Sequence, residues 1–167
     1  HNIGNSPMLH HVMDVAKKAG AKRTVIVAGY KSNLVTSAAK TFSPEAEIVI
    51  QQEQLGTGHA VKQAKDLLKN CDEDLLVLYG DTPFIQPETI SKMIKTRGEC
   101  DISVLGFNTE EPSMYGRLIL NGSNISKIVE AKDASAEQLE ITLCNSGVIL
   151  GKATLIFDLI SKIKNDN

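Results

Sequence analysis

The first feature that can do chemistry is an aspartate placed at the end of an apolar run, in Leu75-Leu76-Val77-Leu78-Tyr79-Gly80-Asp81-Thr82-Pro83. Four apolar residues in a row, preceded by Asp72, Glu73 and Asp74, predict a strand buried on both faces, the kind found in parallel sheets. Open α/β sheets bind ligands beyond the carboxyl ends of their strands, and Asp81 is the first charged side chain at that end. A carboxylate there suits Mg²⁺, a hard ion that takes one or two protein carboxylates and fills its remaining positions with phosphates and water. Asp beside Thr82-Pro83 equally suits an Asx turn, and the tripeptide by itself leaves both readings open.

A second candidate region lies between a predicted strand and a predicted helix, at Gly56-Thr57-Gly58. Free backbone N–H groups and the helix dipole favour an anion or a hydrogen-bonding ligand at such a junction, and glycine lets a ligand approach the backbone. Gln51, Gln54 and Thr57 surround it with amide and hydroxyl groups that donate and accept together, the pairing a uracil edge requires. The alternative is a tight turn with solvated glutamines. A third set comprises Tyr115-Gly116-Arg117, Glu130 and Asn145-Ser146-Gly147, whose carboxylate and amide can hydrogen-bond sugar hydroxyls; singly, each also reads as a turn or surface residue. Lys132 and Asp133 read as a solvated charge pair of little energetic weight.

The elements that must position these residues follow from spacing. Ser6-Pro7 has the form of an N-cap followed by Pro at the first helical position, opening a helix with Leu9, Val12, Met13 and Ala16 on one face and Gly20 at its stop. His10 and His11 are adjacent, so on a helix they diverge and read as surface residues. Strand-type runs at Thr24 to Ala28 and Glu47 to Gln51 bracket a helix from Ser32. A helix over 58–69 presents Val61, Ala64, Leu67 and Leu68. After the Asp81 strand come a helix with Pro87 at its start and Ile90, Met93 and Ile94 inward, then a strand from Ile102 to Phe107. This alternation predicts a parallel sheet with right-handed crossovers. From Glu110 the rhythm changes. Asn121-Gly122 between Leu118-Ile119-Leu120 and Ile125 to Val129 predicts an antiparallel hairpin. Ala131 to Glu137 reads as a surface loop. Asn145-Ser146-Gly147 interrupts two apolar segments, and a last helix carries Leu155, Ile156, Leu159, Ile160 and Ile163.

The bulk numbers set bounds. A chain of 167 residues is sized for one domain, 1–167, and can bury a real core. With 18 basic against 20 acidic residues there is no electrostatic case for nucleic acid or a membrane surface, and the partners expected are small molecules. Cys71, Cys100 and Cys144 leave an odd thiol in any pairing, which suits a reducing compartment; with no membrane-length apolar run and no leader-like opening, a soluble cytoplasmic protein is expected.

Taken together, Gln-Glu-Gln-Leu-Gly-Thr-Gly-His-Ala at 52–60, Leu-Tyr-Gly-Asp-Thr-Pro at 78–83, Tyr-Gly-Arg at 115–117, Ile-Val-Glu-Ala-Lys-Asp-Ala at 128–134 and Asn-Ser-Gly at 145–147 closely resemble one family. It is the uridyltransferase (pyrophosphorylase) domain of the bacterial bifunctional N-acetylglucosamine-1-phosphate uridyltransferase/glucosamine-1-phosphate acetyltransferases. The resemblance covers essentially the whole chain, with motifs in the family's order. It implies an α/β, Rossmann-like nucleotidyltransferase fold: a mostly parallel sheet flanked by helices, with an antiparallel hairpin excursion. The implied reaction moves UMP from UTP to N-acetylglucosamine 1-phosphate, giving UDP-N-acetylglucosamine, a precursor of peptidoglycan and lipopolysaccharide, and pyrophosphate. Carried over by motif, Gln51, Gly56 and Thr57 contact the uracil side. Tyr79 and Gly80 line the ribose and sugar side, Asp81 binds Mg²⁺, and Gly116, Glu130 and Asn145 hold the N-acetylglucosamine group.

The family's Gly-rich loop with its catalytic Arg and following Lys, its second Mg²⁺ ligand and its acetyltransferase domain have no counterpart in these 167 residues. The resemblance therefore implies no catalytic residue within the chain, slow turnover by the chain alone, and a monomer where the intact family protein is a homotrimer. Two other readings stand beside it: a thymidylyl-, guanylyl- or cytidylyltransferase acting on another sugar or alcohol phosphate, and a non-catalytic nucleotide-sugar binding domain.

Overall fold

The computed structural model describes residues 1–98 and 100–162. The chain opens on a short ladder, β1 (Asn2–Ile3) against β2 (Ser6–Pro7), turned by Gly4 at φ +59°. Because Ser6 pairs with Ile3, it is unavailable as a cap, and Pro7 takes the cap position of α1 (Met8–Lys18) without a side-chain hydrogen bond. Next come β3 (Val25–Ala28), α2 (Ser32–Phe42) and β4 (Glu47–Ile50), a β-α-β unit whose strands pair in parallel from Val25 opposite Glu47 to Ala28 opposite Ile50. The single helix predicted over 58–69 is two, α3 (Thr57–Gln63) and α4 (Lys65–Leu68), parted at Ala64. They lead to β5 (Asp74–Val77), α5 (Pro87–Arg97) with Pro at its first turn, and β6 (Ile102–Asn108).

The hairpin forms where Asn121-Gly122 places it, between β7 (Arg117–Asn121) and β8 (Asn124–Val129), with Gly122 at φ +61°. The surface loop predicted after it contains a 3₁₀ turn (Ala131–Asp133) and α6 (Ala136–Leu139), the latter closed by a capping box in which Ser135 and Gln138 satisfy each other's backbone N–H. Then β9 (Leu143–Lys152) runs straight through Asn145-Ser146-Gly147, which the sequence reads as an interruption, and α7 (Ala153–Lys162) follows. Ile163, expected on that helix, lies outside the described residues.

The expected mostly parallel sheet is corrected by β9. Both β5 and β6 pair antiparallel with β9, so they run the same way, as a crossover connection requires, yet β9 lies between them. With β7 and β8 added, this is a five-stranded antiparallel assembly, and among the described residues the only parallel ladder is β3–β4. The interruption predicted at Asn145-Ser146-Gly147 survives as a bulge: Val104 faces Ile149 while Gly106 faces Asn145.

β3 and β5 start at the same end of the molecule, where Lys22 Nζ donates to Glu73 at 2.9 Å, but no hydrogen bond joins them among the described residues. Between their facing edges lies a cavity of about 660 Å³, covered by Leu9 and Val12 of α1 on one side and Val61 and Ala64 on the other. The cavity corrects a second expectation, because Leu75, Leu76 and Val77 are half-buried where burial on both faces was predicted. The inward face of α5 is Ile90 and Met93; Ile94 is exposed where it lines the cavity, and Leu67 and Leu159 are exposed as well. His10 and His11 diverge as expected, but both are half-buried, with His10 Nε2 2.8 Å from Ala38 O and His11 Nε2 3.1 Å from Ile3 O.

Candidate functional site

The polar residues singled out above fall into two groups on either side of the carboxyl end of β5. In the first, Gln51 follows β4 and continues its pairing, its N–H donating to Ala28 O at 2.9 Å. Its side chain is buried, with Nε2 3.3 Å from Gly56 O and 2.9 Å from His59 Nδ1. Gly56 precedes α3 at φ +97°, a conformation that favours glycine, and Thr57 is the exposed first residue of the helix. Gly29, which follows β3, completes this group: a Cβ there would stand 3.4 Å from Gln51 Oε1 and 3.3 Å from the Gln54 amide nitrogen. The three sequence candidates Gln51, Gly56 and Thr57 are thus together. Gly29 and His59 carried no assigned role; the signal for Gly29 was its place at the carboxyl end of a strand.

The second group is built on the antiparallel sheet. Gly116 enters β7, Glu130 leaves β8 and Asn145 sits on β9 beside the bulge. Asn145 N–H donates to Gly116 O at 2.8 Å, and a Cβ on Gly116 would lie 3.2 and 3.4 Å from the two Glu130 carboxylate oxygens. Glycine therefore lets the exposed carboxylate fold over the backbone, leaving a cradle lined by a carboxylate and an amide. Asn145 Oδ1 accepts from Gly147 N at 2.9 Å, and Tyr79 lies against Gly147 so closely that a Cβ there would be 2.1 Å from its ring. Gly147 stands at φ +82°, so the backbone and the neighbour both demand glycine. Through this contact Tyr79, at the end of β5, joins Asn145, Gly116 and Glu130. Gly80, beside it, is exposed, and a Cβ there would stand 3.8 Å from the Leu9 side chain.

Arg117 was missed as a structural element of the site. It is buried, and its guanidinium donates to three backbone carbonyls: Ser113 at 2.9 Å, Tyr115, and Leu139 at 3.3 Å. It thereby ties the loop before Gly116 to the last residue of α6. Its buried Nε has no partner among the described residues, and such a cation, held by carbonyls at its two terminal nitrogens, has no sequence signature beyond Arg next to Gly.

Asp81 follows Tyr79 and Gly80 beyond the end of β5 and is exposed. The Asx turn is not what forms: the turn is closed by Thr82, whose N–H and Oγ1 both reach Tyr79 O, at 3.3 and 2.8 Å. Asp81 thus keeps its carboxylate oxygens for another partner. Among the described residues no three His, Cys, Asp or Glu side chains gather around a common point, so Asp81 fits an ion held chiefly by ligand and water oxygens, not a closed protein cage. Lys132 and Asp133 form no ion pair among the described residues.

Sequence comparison places this domain among known proteins. The family model for the MobA-like NTP transferase domain matches residues 1–139. The chain belongs to that family. The transferase domain is 46% identical over 167 residues to the bifunctional protein GlmU of Ruegeria sp. (strain TM1040), a match covering all of this chain and 37% of the relative. It therefore spans little more than a third of that relative's length. Among solved structures, the domain superposes on HddC from Yersinia pseudotuberculosis with a TM-score of 0.71, at 22% identity over 95% of this chain and 68% of that one. It matches an apo UDP-glucose pyrophosphorylase equally, with a TM-score of 0.71 at 20% identity over 96% and 71%. At these identities the two structures establish the fold alone. No helix among the described residues is long and apolar enough to cross a membrane.

Proposed function

We propose that this domain transfers UMP from UTP to N-acetylglucosamine 1-phosphate, forming UDP-N-acetylglucosamine and pyrophosphate, with Mg²⁺ bound at Asp81. The observation that carries the reading is the cradle of Gly116, Glu130 and Asn145, drawn from three strands and joined by Tyr79 and Gly147 to the end of β5. An N-acetylated sugar offers hydroxyl and amide N–H donors to a carboxylate and an amide acceptor to an N–H, and this donor and acceptor set complements it. The high similarity to a GlmU protein over the whole chain supports the same choice.

In this reading Gln51, Gly56 and Thr57 hold the base, and Tyr79 and Gly80 line the path from ribose to sugar. A phosphate oxygen of the sugar phosphate attacks the α-phosphorus of UTP as the bond to pyrophosphate breaks, with no covalent enzyme intermediate. The residues of this chain act by alignment, holding nucleophile and leaving group in line. Asp81 would hold Mg²⁺, which would supply neutralisation of the triphosphate charge.

Calorimetry with UDP-N-acetylglucosamine and UDP-glucose, which differ at the acetamido group, tests the assignment. Tighter binding of the acetamido sugar is expected, and Gly116→Ala is expected to weaken it about tenfold while leaving UTP binding nearly unchanged. Equal affinity of the unaltered domain for the two sugars would overturn it.

A further inference from the structure

We propose that His59 is a positioning residue that decides which end of the Gln51 amide meets the base of a bound nucleotide; the inference rests on the uridine-nucleotide reading above. A primary amide presents an oxygen that accepts and an NH₂ that donates, and a half-turn exchanges them with almost no change of shape. A site that uses such an amide to distinguish bases must therefore fix its orientation. Gln51 is buried after β4, and two neighbours fix it. The Gly56 carbonyl, 3.3 Å from Nε2, can only accept, so the NH₂ faces that way. His59 Nδ1, closer at 2.9 Å, takes the second N–H when it is the unprotonated ring nitrogen.

With both N–H groups engaged, Oε1 is the atom left to a ligand. It faces Gly29 at the carboxyl end of β3, 3.4 Å from where a Cβ would stand, with the Gln54 amide beside it. Among the described residues it has no hydrogen bond, and it is not sealed from solvent. The tautomer follows. An accepting Nδ1 puts the ring proton on Nε2, which lies 3.0 Å from the amide of Gln63. Gln63 Nε2 also lies 3.3 Å from the His59 carbonyl, as Gln51 Nε2 does from that of Gly56, but Gln63 is half-buried where Gln51 is buried, so Gln63 is the amide that gives up this bond to water and turns its oxygen toward that proton.

The chemical consequence is a choice of base. Uracil offers N3–H between two carbonyl groups, whereas cytosine presents a bare N3 lone pair at the same place. An accepting Oε1 pairs with the first and opposes the second, so the His59 ring, without touching the nucleotide, makes the site a uridine site. The carbonyl of Gly56 alone is a weaker anchor, being longer and on an exposed glycine.

The test is titration of UTP and CTP into the 167-residue chain and into His59→Leu and His59→Asn. Leucine keeps much of the ring's volume but removes the acceptor, and asparagine restores an oxygen near the position of Nδ1. The unaltered chain is expected to prefer UTP by about tenfold or more, the leucine variant to lose most of that preference, and the asparagine variant to regain it. A leucine variant that keeps the full preference, or an asparagine variant that fails to restore it, would overturn the role of His59 and leave the uridine reading standing. No preference in the unaltered chain would overturn the uridine reading itself. Should the leucine variant not fold, the ¹⁵N spectrum of the unaltered protein decides: the proton of the His59 ring is expected on Nε2, and a proton on Nδ1 overturns the proposal.

Discussion

Around β3 and β4 the most deeply buried side chains are alanines, Ala28, Ala39 and Ala46, each at 1% exposure or less, while around β9 they are Ile90, Val148 and Cys144. The larger apolar residues of β3, Val25, Ile26 and Val27, are only half-buried, because one edge of the strand looks into the cavity it shares with β5. The antiparallel assembly has no such opening at its centre: β9 is paired on both sides, and Ile90, Met93, Val148 and Leu150 pack into one cluster with Leu76 and Leu105. One half of the site, the Gln51 group, is thus hung on a two-stranded ladder held by helices, and the other, the Gly116 cradle, on a sheet with a dense core. The difference teaches that a site can be assembled from supports packed to unequal density. Hydrogen-bonded side chains such as Gln51 and His59 supply on the first support what large-residue packing supplies on the second.

The sharpest way to break this comparison is a matched pair of truncations read by chemical denaturation. Ile90→Ala empties a fully buried position and is expected to cost about 3–5 kcal/mol, whereas Ile26→Ala on the half-open ladder is expected to cost about 1–2 kcal/mol. Equal losses would mean that the two supports are equally packed. Gly147→Val comes next. Its backbone is at φ +82° and its Cβ would stand 2.1 Å from the Tyr79 ring, so about 2–3 kcal/mol of destabilisation is expected together with a displaced Tyr79 tyrosine signal in NMR. An unperturbed ring would show that Tyr79 and the cradle are not joined.

The smallest effect concerns pH at the foot of the parallel ladder. The Arg23 guanidinium hydrogen-bonds the Glu47 carboxylate and holds it below the ordinary glutamate range. A depressed folded-state value means that the pair's contribution is present above the unfolded-state value of about 4.3 and fades as pH falls through the lower folded value. Both side chains are solvated, so the effect is small and salt-sensitive. Stability measured from pH 6 down to pH 3 is expected to fall slightly less steeply in Glu47→Gln than in the unaltered chain; identical slopes would remove the ion pair from the account.

Most elements were legible because their signals are local. Asn121-Gly122 demands a tight hairpin wherever it sits, Pro87 opens a helix, and Gly56 and Gly122 take positive φ for reasons contained in a few residues. The candidate residues were legible for a related reason: short polar segments at the ends of apolar runs occupy the rim of a sheet whatever its strand order. The misreadings share a cause. Half-burial of Leu75 to Val77, the exposure of Leu67, Ile94 and Leu159, and passage of one strand through Asn145-Ser146-Gly147 each depend on what lies across from a residue in space. Periodicity reports which residues share a face, not whether that face is covered.

By itself, then, the sequence determined where strands, helices and turns form and that carboxylate, amide and glycine would collect at their ends. Only the tertiary structure decided that β9 enters between β5 and β6, that Tyr79 lies on Gly147, that Glu130 folds over Gly116, and that His59 holds the Gln51 amide. The physical reason is range. Turn and helix preferences are settled among neighbours a few residues apart, whereas strand order and side-chain hydrogen bonds are settled among groups brought together by the whole chain, where closing a longer loop costs little more than closing a short one.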